Sequence, residues 1–395
     1  MAERVFKQRG GPAPVDPVEL ANSLRDFGKS RMLPRAAYVD PDVFAWESAN
    51  IFDGWICAGF AADLPDAGDQ RAVDTADGGV LLVRGDDGIV RAFANVCRHR
   101  GHQLLACGAE ASKRTITCPY HGWTYRSDGS LHNAPRYQHV PDFDPDDYGL
   151  IRLPLQDWHG WLFIDPSGQA GAFTDVLGDV ESVVAPYRHE DLRILARHDY
   201  EVASNWKVLV ENYQECYHCP LIHPELCRVS PPTSGADLQV ETTWMGGSMD
   251  LRDDAATMSL DGRSGGTPIP GLDDVQLRTV MYLVGYPNVL ISLHPDYVMT
   301  HVLTPLAADR TRVTCAWAFP DEAADAVSPD GRSFDPSYAV DFWDLTNRQD
   351  WSACEGVQRG LSSRHAVPGP IGPDETGVHD FVHRVATAYA GKPAG

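Results

Sequence analysis

Cys97-Arg98-His99, followed after residues 100–117 by Cys118-Pro119-Tyr120-His121, decides how this chain is read. Two thiolates and two imidazoles arrive as a Cys-x-His and a Cys-x-x-His pair. That donor set suits a [2Fe–2S] cluster in which the cysteines hold one iron and the histidines the other. Exchanging two thiolates for neutral imidazoles lowers the negative charge on the cluster and raises its potential. A structural zinc knuckle competes, since two cysteines and two histidines also suit tetrahedral Zn²⁺. Knuckles pair cysteine with cysteine and histidine with histidine, whereas here each pair is mixed. The cluster is the preferred reading.

Outward from these pairs, residues 46–165 have the texture of a small all-β domain. Short β-prone runs (55–60, 80–84, 89–93) are separated by turn signals, Asp87-Gly88 and Asp128-Gly129 among them,. Both ligand pairs fall in loops of this unit, where backbone N–H groups can reach cluster sulfurs. Residues 1–45 read as a helical lead-in that packs on the second domain, with a helix over 17–32 stopped at Leu33-Pro34. Residues 166–395 form that second domain. It has a helix over 205–217, a Gly-, Ser- and Asp-rich excursion over 230–275, four strands over 279–285, 288–294, 297–304 and 311–319, and a C-terminal helix over 341–361,. The class expected is α+β.

A formal charge of −22 argues against nucleic acid as a partner,. No apolar run approaches the ~20 residues needed to span a bilayer, and the first residues lack the apolar core of a signal peptide. Nine cysteines make an odd count without the density of a disulfide scaffold. Together these features predict a cytoplasmic protein that uses its key thiols for metal.

The segment Glu211-Asn212-Tyr213-Gln214-Glu215-Cys216-Tyr217-His218-Cys219-Pro220-Leu221-Ile222-His223 carries a second chemistry. His218 and His223 flank a helix end broken by Pro220, which lets both imidazoles turn toward one point. Two histidines and one carboxylate form the facial set of non-haem Fe(II) oxygenases and leave positions open for O₂. A closed zinc site of Cys216, His218, Cys219 and His223 is the rival, but three of those four residues are crowded together in sequence. The carboxylate must come from elsewhere. Asp341, Asp344 and Asp350 all lie on the predicted C-terminal helix, and spacing alone does not choose among them.

With Arg100-Gly101-His102, Gly122-Trp123 and the Glu-Cys-Tyr-His-Cys-Pro stretch, the chain resembles the large subunit of Rieske non-haem iron oxygenases from Leu33 to the C-terminal helix. The resemblance implies a Rieske domain beside a helix-grip catalytic domain, assembled as a homotrimer. It implies cluster ligands Cys97, His99, Cys118 and His121, iron ligands His218, His223 and Asp350, and Asn212 near the iron. It also implies that Glu215 bridges the iron site to the cluster of a neighbouring subunit. Glutamate there departs from the aspartate of the ring-hydroxylating dioxygenases and is similar to the carnitine, choline and glycine betaine branch. The chain has no Gly-x-Gly-x-x-Gly fingerprint and no plant-type ferredoxin cysteine run. Electrons are therefore expected from a separate reductase, which the resemblance implies is an NAD(P)H-dependent flavin and iron–sulfur protein.

In that branch the expected reaction is monooxygenation of a methylated ammonium, leading to N-demethylation. Aromatic faces recognise such a cation. Tyr282, Tyr297, Trp317 and Phe319 are the candidates on the predicted strands, each equally readable as core. Two other classes remain open. An aromatic-ring or aromatic-acid oxygenase would keep the metals and line its pocket with apolar groups. A purely electron-carrying Rieske protein would not need the second site.

Overall fold

The computed structural model describes residues 11–75, 78–238, 244–321, 325 and 333–391. Residues 239–243 of the predicted excursion, the first ten of the lead-in and the last four of the chain lie outside them. The chain divides into two compact units, Ser48–Phe173, and Met1–Glu47 with Thr174–Gly395. Each combines or consists of antiparallel sheets, and the class is α+β.

In the Ser48–Phe173 unit the strands are β1 (Ile56–Phe60), β2 (Asp69–Val73), β3 (Val80–Arg84), β4 (Val90–Ala94), β5 (Glu110–Ser112), β6 (Thr115–Thr117), β7 (Thr124–Arg126), β8 (Leu131–Asn133), β9 (Arg152–Leu153), β10 (Leu155–Trp158) and β11 (Trp161–Ile164). They form sheets of order β5-β2-β3-β4-β9, β1-β11-β10 and β6-β7-β8. The run Val80-Leu81-Leu82-Val83 is apolar throughout because β3 is covered on both faces. Leu81 and Val83 join Phe93, Trp123 and Tyr125 beneath the cysteine loops, while Val80 and Leu82 join Ile56, Leu162 and Ile164 on the other side. Both predicted turns are present. Gly88 (φ 78°) sits between β3 and β4, and Gly129 (φ 91°) between β7 and β8. A Cβ on Gly129 would lie 2.4 Å from a ring carbon of Phe93, so only glycine closes this hairpin over the core,.

The larger unit is built on a seven-stranded antiparallel sheet of order β12-β18-β17-β16-β15-β14-β13. Its strands are β12 (Leu192–Val202), β13 (Ala236–Asp237), β14 (Met245–Asp250), β15 (Thr279–Gly285), β16 (Val289–Leu293), β17 (Val298–Ala307) and β18 (Arg310–Pro320). The helix Ser337–Leu361 packs Ala339, Val340, Phe342 and Trp343 against Val280, Met299, Trp317 and Phe319 of one sheet face. The four predicted strands match β15 to β18 closely. β14 was hidden by Gly246 and Gly247, whose weak strand preference is overridden by pairing with β15,.

Two helices are shorter than expected. The first covers Pro17–Ser23, capped by Asp16, because Gly28 turns the chain with φ 80° well before Leu33. The helix Trp206–Tyr213 starts at Asn205, whose side chain accepts from the Lys207 N–H,. It stops four residues early because Glu215 accepts the His218 N–H at 3.1 Å and winds a local turn. Pro220 then opens the short helix Cys219–Ile222, where its missing N–H costs nothing,. Among the described residues no helix is long and apolar enough to cross a membrane.

Candidate metal centres and the catalytic cavity

The two cluster loops are built alike. After β4, the Cys97 N–H donates to the His102 carbonyl and the Gly101 N–H to the Cys97 carbonyl. Between β6 and β7, the Cys118 N–H donates to the Trp123 carbonyl and the Gly122 N–H to the Cys118 carbonyl. Gly101 and Gly122 take φ of 71° and 72°, which lets each loop reverse tightly around its cysteine,. Cys97 and Cys118 are buried, His99 is half-buried and His121 is exposed. The imidazoles of His99 and His121 lie with ring centroids 4.7 Å apart. Nδ1 of His99 is buried and has no hydrogen-bond partner, an expensive state for a ring nitrogen unless something binds it,. An iron on that atom satisfies it, so these four residues fit the cluster. Tyr125, fully buried, places its hydroxyl 3.2 Å from Cys97 Sγ, where it can draw charge from the sulfur,.

In the larger unit His218, His223 and Asp350 bring one donor atom each to within 4.8 Å of one another. Nε2 of His223 is 2.9 Å, and Nε2 of His218 3.5 Å, from Asp350 Oδ1. The opposite ring nitrogens are also held. His218 Nδ1 lies 2.5 Å from Glu215 Oε1, and His223 Nδ1 2.7 Å from Gln349 Oε1. Each acceptor keeps the ring proton on Nδ1 and turns the Nε2 lone pair toward Asp350, as divalent metal requires. The donors fit a mononuclear iron.

The helix Ser337–Leu361 also decides among the three aspartates. Asp344 is spent elsewhere, accepting from Tyr200 at 2.7 Å and from Arg348 at 2.8 Å, whereas Asp350 faces the histidines. The thiols of Cys216 and Cys219 are joined to each other, which removes them from any zinc set. Gln349 was not read from the sequence; its only signal was adjacency to Asp350.

A cavity of about 610 Å³ opens beside these donors, with Asn212, Glu215 and Tyr282 in its lining. The other three aromatic candidates need correction. Tyr297, Trp317 and Phe319 are 0 % exposed, belong to the core beneath the long helix and do not line the cavity. The Tyr297 hydroxyl is already used, donating to the Met258 carbonyl and accepting from Trp343 Nε1. The rings that do line it with Tyr282 are Tyr213, Trp343 and the exposed Tyr217. Trp343, Thr346 and Asp350 are spaced three and four apart, one helical face turned to the cavity.

Two family profiles match the chain, "Rieske [2Fe-2S] domain" over residues 54–144 and "Ring hydroxylating alpha subunit (catalytic domain)" over residues 189–391. The chain belongs to the Rieske non-haem iron oxygenases. The glycine betaine monooxygenase oxygenase subunit of Chromohalobacter salexigens is 30% identical over 92% of this chain and 86% of its own length. The carnitine monooxygenase oxygenase subunit of Escherichia coli K12 is 39% identical over 49% of this chain and 52% of its own. The quaternary ammonium Rieske monooxygenase CntA with L-carnitine superposes with TM-score 0.74 and 26% identity, over 95% of this chain and 99% of that one. Naphthalene 1,2-dioxygenase from Rhodococcus, at 17% identity and TM-score 0.75 over 92% of this chain and 95% of its own, shares the fold. As a Rieske oxygenase the chain is an oxidoreductase with a [2Fe–2S] cluster and a mononuclear non-haem iron, and it works with a separate reductase on a small molecule.

Proposed function

We propose that this chain is the terminal oxygenase of a cytoplasmic system that hydroxylates an N-methyl group of a methylated ammonium compound. The observation that carries this reading is the set of aromatic rings, Tyr213, Tyr282 and Trp343, lining the same cavity as the His218, His223 and Asp350 donors. Each face can contribute about 0.5–2 kcal/mol toward a cation. The names of the glycine betaine and carnitine relatives support the same class. Cys97, His99, Cys118 and His121 hold the cluster; His218, His223 and Asp350 hold the iron. The iron supplies O₂ activation when reduced through the cluster by an NAD(P)H-dependent flavin and iron–sulfur reductase.

The protein's own work is positional. Glu215 and Gln349 aim the imidazoles, and the rings hold the ammonium so that a methyl group faces the open side of the donor set. The product N–CH₂OH is unstable: its hydroxyl proton passes to solvent as the C–N bond breaks, formaldehyde leaves and the amine keeps the electron pair. With a reductase and NAD(P)H, one formaldehyde is expected per productive turnover of a methylated ammonium. Hydroxylation of aromatic acids without formaldehyde would favour the ring-oxygenase alternative.

In this reading Glu215 carries electrons across the subunit interface of a homotrimer. Glu215→Ala, reloaded with iron to offset loss of the His218 acceptor, is expected to keep the cluster and the assembly while slowing oxidation of a pre-reduced cluster by O₂ and substrate by more than about 100-fold, beyond the 10–100-fold typical of residues that orient metal ligands,. Cluster oxidation at the wild-type rate, coupled to product, would limit Glu215 to orienting His218. Tyr125→Phe is expected to retain two acid-labile sulfides and lower the cluster potential. Loss of one hydrogen bond worth ~1 kcal/mol corresponds to roughly 40 mV for one electron. An unchanged potential in spectroelectrochemical titration would refute that role.

A further inference from the structure

The charge of the cavity narrows the substrate within the methylated ammonium class. Its lining includes four carboxylates, Glu215, Asp237, Asp350 and Asp374, and no lysine or arginine among the described residues. Asp350 belongs to the iron and Glu215 to His218. Asp374 is exposed, and therefore at the solvent side of the cavity.

Asp374 is held there by the backbone. Gly377, three residues on, approaches so closely that a Cβ would lie 2.9 Å from Gln214 Oε1 and 3.0 Å from the Gln214 carbonyl. This packs the Asp374 loop against the segment that carries Glu215 and His218. Asp374 forms no ion pair or hydrogen bond among the described residues, so its charge faces the cavity unneutralised.

A betaine needs two opposite things from a protein, an aromatic or anionic surface for its ammonium and a cation or a dense set of donors for its carboxylate. Carboxylate recognition usually recruits an arginine fork. Here the aromatic half is present beside the iron donors, and a carboxylate tail reaching outward would meet Asp374, with no lysine or arginine among the described lining residues. We infer that the preferred substrate is a methylated ammonium whose tail is neutral or positively charged, such as an amino alcohol, and that Asp374 discriminates against zwitterions. The inference rests on the methylated-ammonium reading above.

Choline and glycine betaine make a matched pair, the same trimethylammonium ending in CH₂OH or COO⁻. Titration calorimetry on the holoprotein is expected to show choline binding about tenfold or more tightly than glycine betaine at low salt. That is the scale of one partly solvated like-charge contact. The ratio should shrink in high salt, narrow several-fold in Asp374→Asn and reverse in Asp374→Arg, with circular dichroism checking that the exposed substitution keeps the fold. Glycine betaine or carnitine binding as tightly as choline to the wild type would overturn the inference, while formaldehyde release from either would leave the parent reading standing. Binding of none of the three, with turnover of an aromatic compound, would remove both.

Discussion

Asp350→Ala is expected to lose the mononuclear iron and essentially all turnover while the visible and EPR signatures of the [2Fe–2S] cluster stay intact. His223 Nε2 and His218 Nε2 both converge on Asp350 Oδ1, at 2.9 and 3.5 Å, so this carboxylate completes the only three-donor set found among the described residues. Groups that merely orient metal ligands typically contribute 10–100-fold, and loss of a ligand should exceed about 100-fold in iron affinity. Gln349→Ala, which strips His223 Nδ1 of its acceptor, should fall inside that smaller range. Asp344→Ala should keep the iron, since Asp344 serves Tyr200 and Arg348. Iron analysis of the three variants decides the matter. Loss of iron in Asp344→Ala with retention in Asp350→Ala would reverse the assignment.

Lys207→Met is expected to cost about 3–5 kcal/mol of stability, the range for breaking one side of a buried ion pair. Lys207 Nζ lies 2.5 Å from Glu47 Oε1, and both side chains are 0 % exposed. Trp206 Nε1 and the Tyr389 hydroxyl donate to the same Glu47 carboxylate, so the pair ties the helices Pro41–Asn50, Trp206–Tyr213 and Thr376–Tyr389 together behind the iron segment. Removing the ammonium leaves Glu47 buried and uncompensated. The double variant Glu47→Gln/Lys207→Met should recover part of the loss. Denaturant unfolding measures this, and additive single-variant costs would show that the two groups are not coupled.

The same compartment predicts a pH dependence. It holds one ammonium and a second acid, Glu211, whose carboxyl burial pushes up to about 8 while Tyr38 donates to it at 2.7 Å. The unfolded chain loses that proton near the ordinary glutamate value of about 4.3. Between those values the native state binds more protons, so the Glu211 contribution is full at acid pH and is lost as pH rises toward 8. Glu211→Gln should flatten that part of the stability profile. An unchanged slope would show that Glu211 is ionised in the native protein.

Much of the architecture was legible in the sequence because its signals are local. The Cys-x-His and Cys-x-x-His pairs sit in adjacent loops, so the mixing of ligand types within each pair favoured a cluster over a zinc knuckle, and the turn residues between β3 and β4 and between β7 and β8 placed those loops in an all-β unit. Strands β15 to β18 announced themselves by β-branched and aromatic runs between turn residues. The helix Thr376–Tyr389 carried an equally plain signal in Val378, Phe381, Val382, Val385 and Tyr389, at spacings of three and four, but went unread.

What the sequence could not decide were distinctions of depth and phase. Tyr282, Ser292, Met299 and Trp317 form one row across β15, β16, β17 and β18, all on the same face. Alternation along a strand reports the face but not whether a helix covers it, so Tyr282 opens on the cavity while Trp317 is sealed under the helix Ser337–Leu361. Asp341, Asp344 and Asp350 share that helix, and only its packing against the iron-bearing segment turns Asp350 toward His218 and His223. Asp374 reached the cavity through one close approach of Gly377 to Gln214, a contact between residues far apart in the chain. Local chemistry wrote the cofactors into the sequence, whereas the order in which side chains meet around the substrate is a property of long-range packing, and only the tertiary structure decided it.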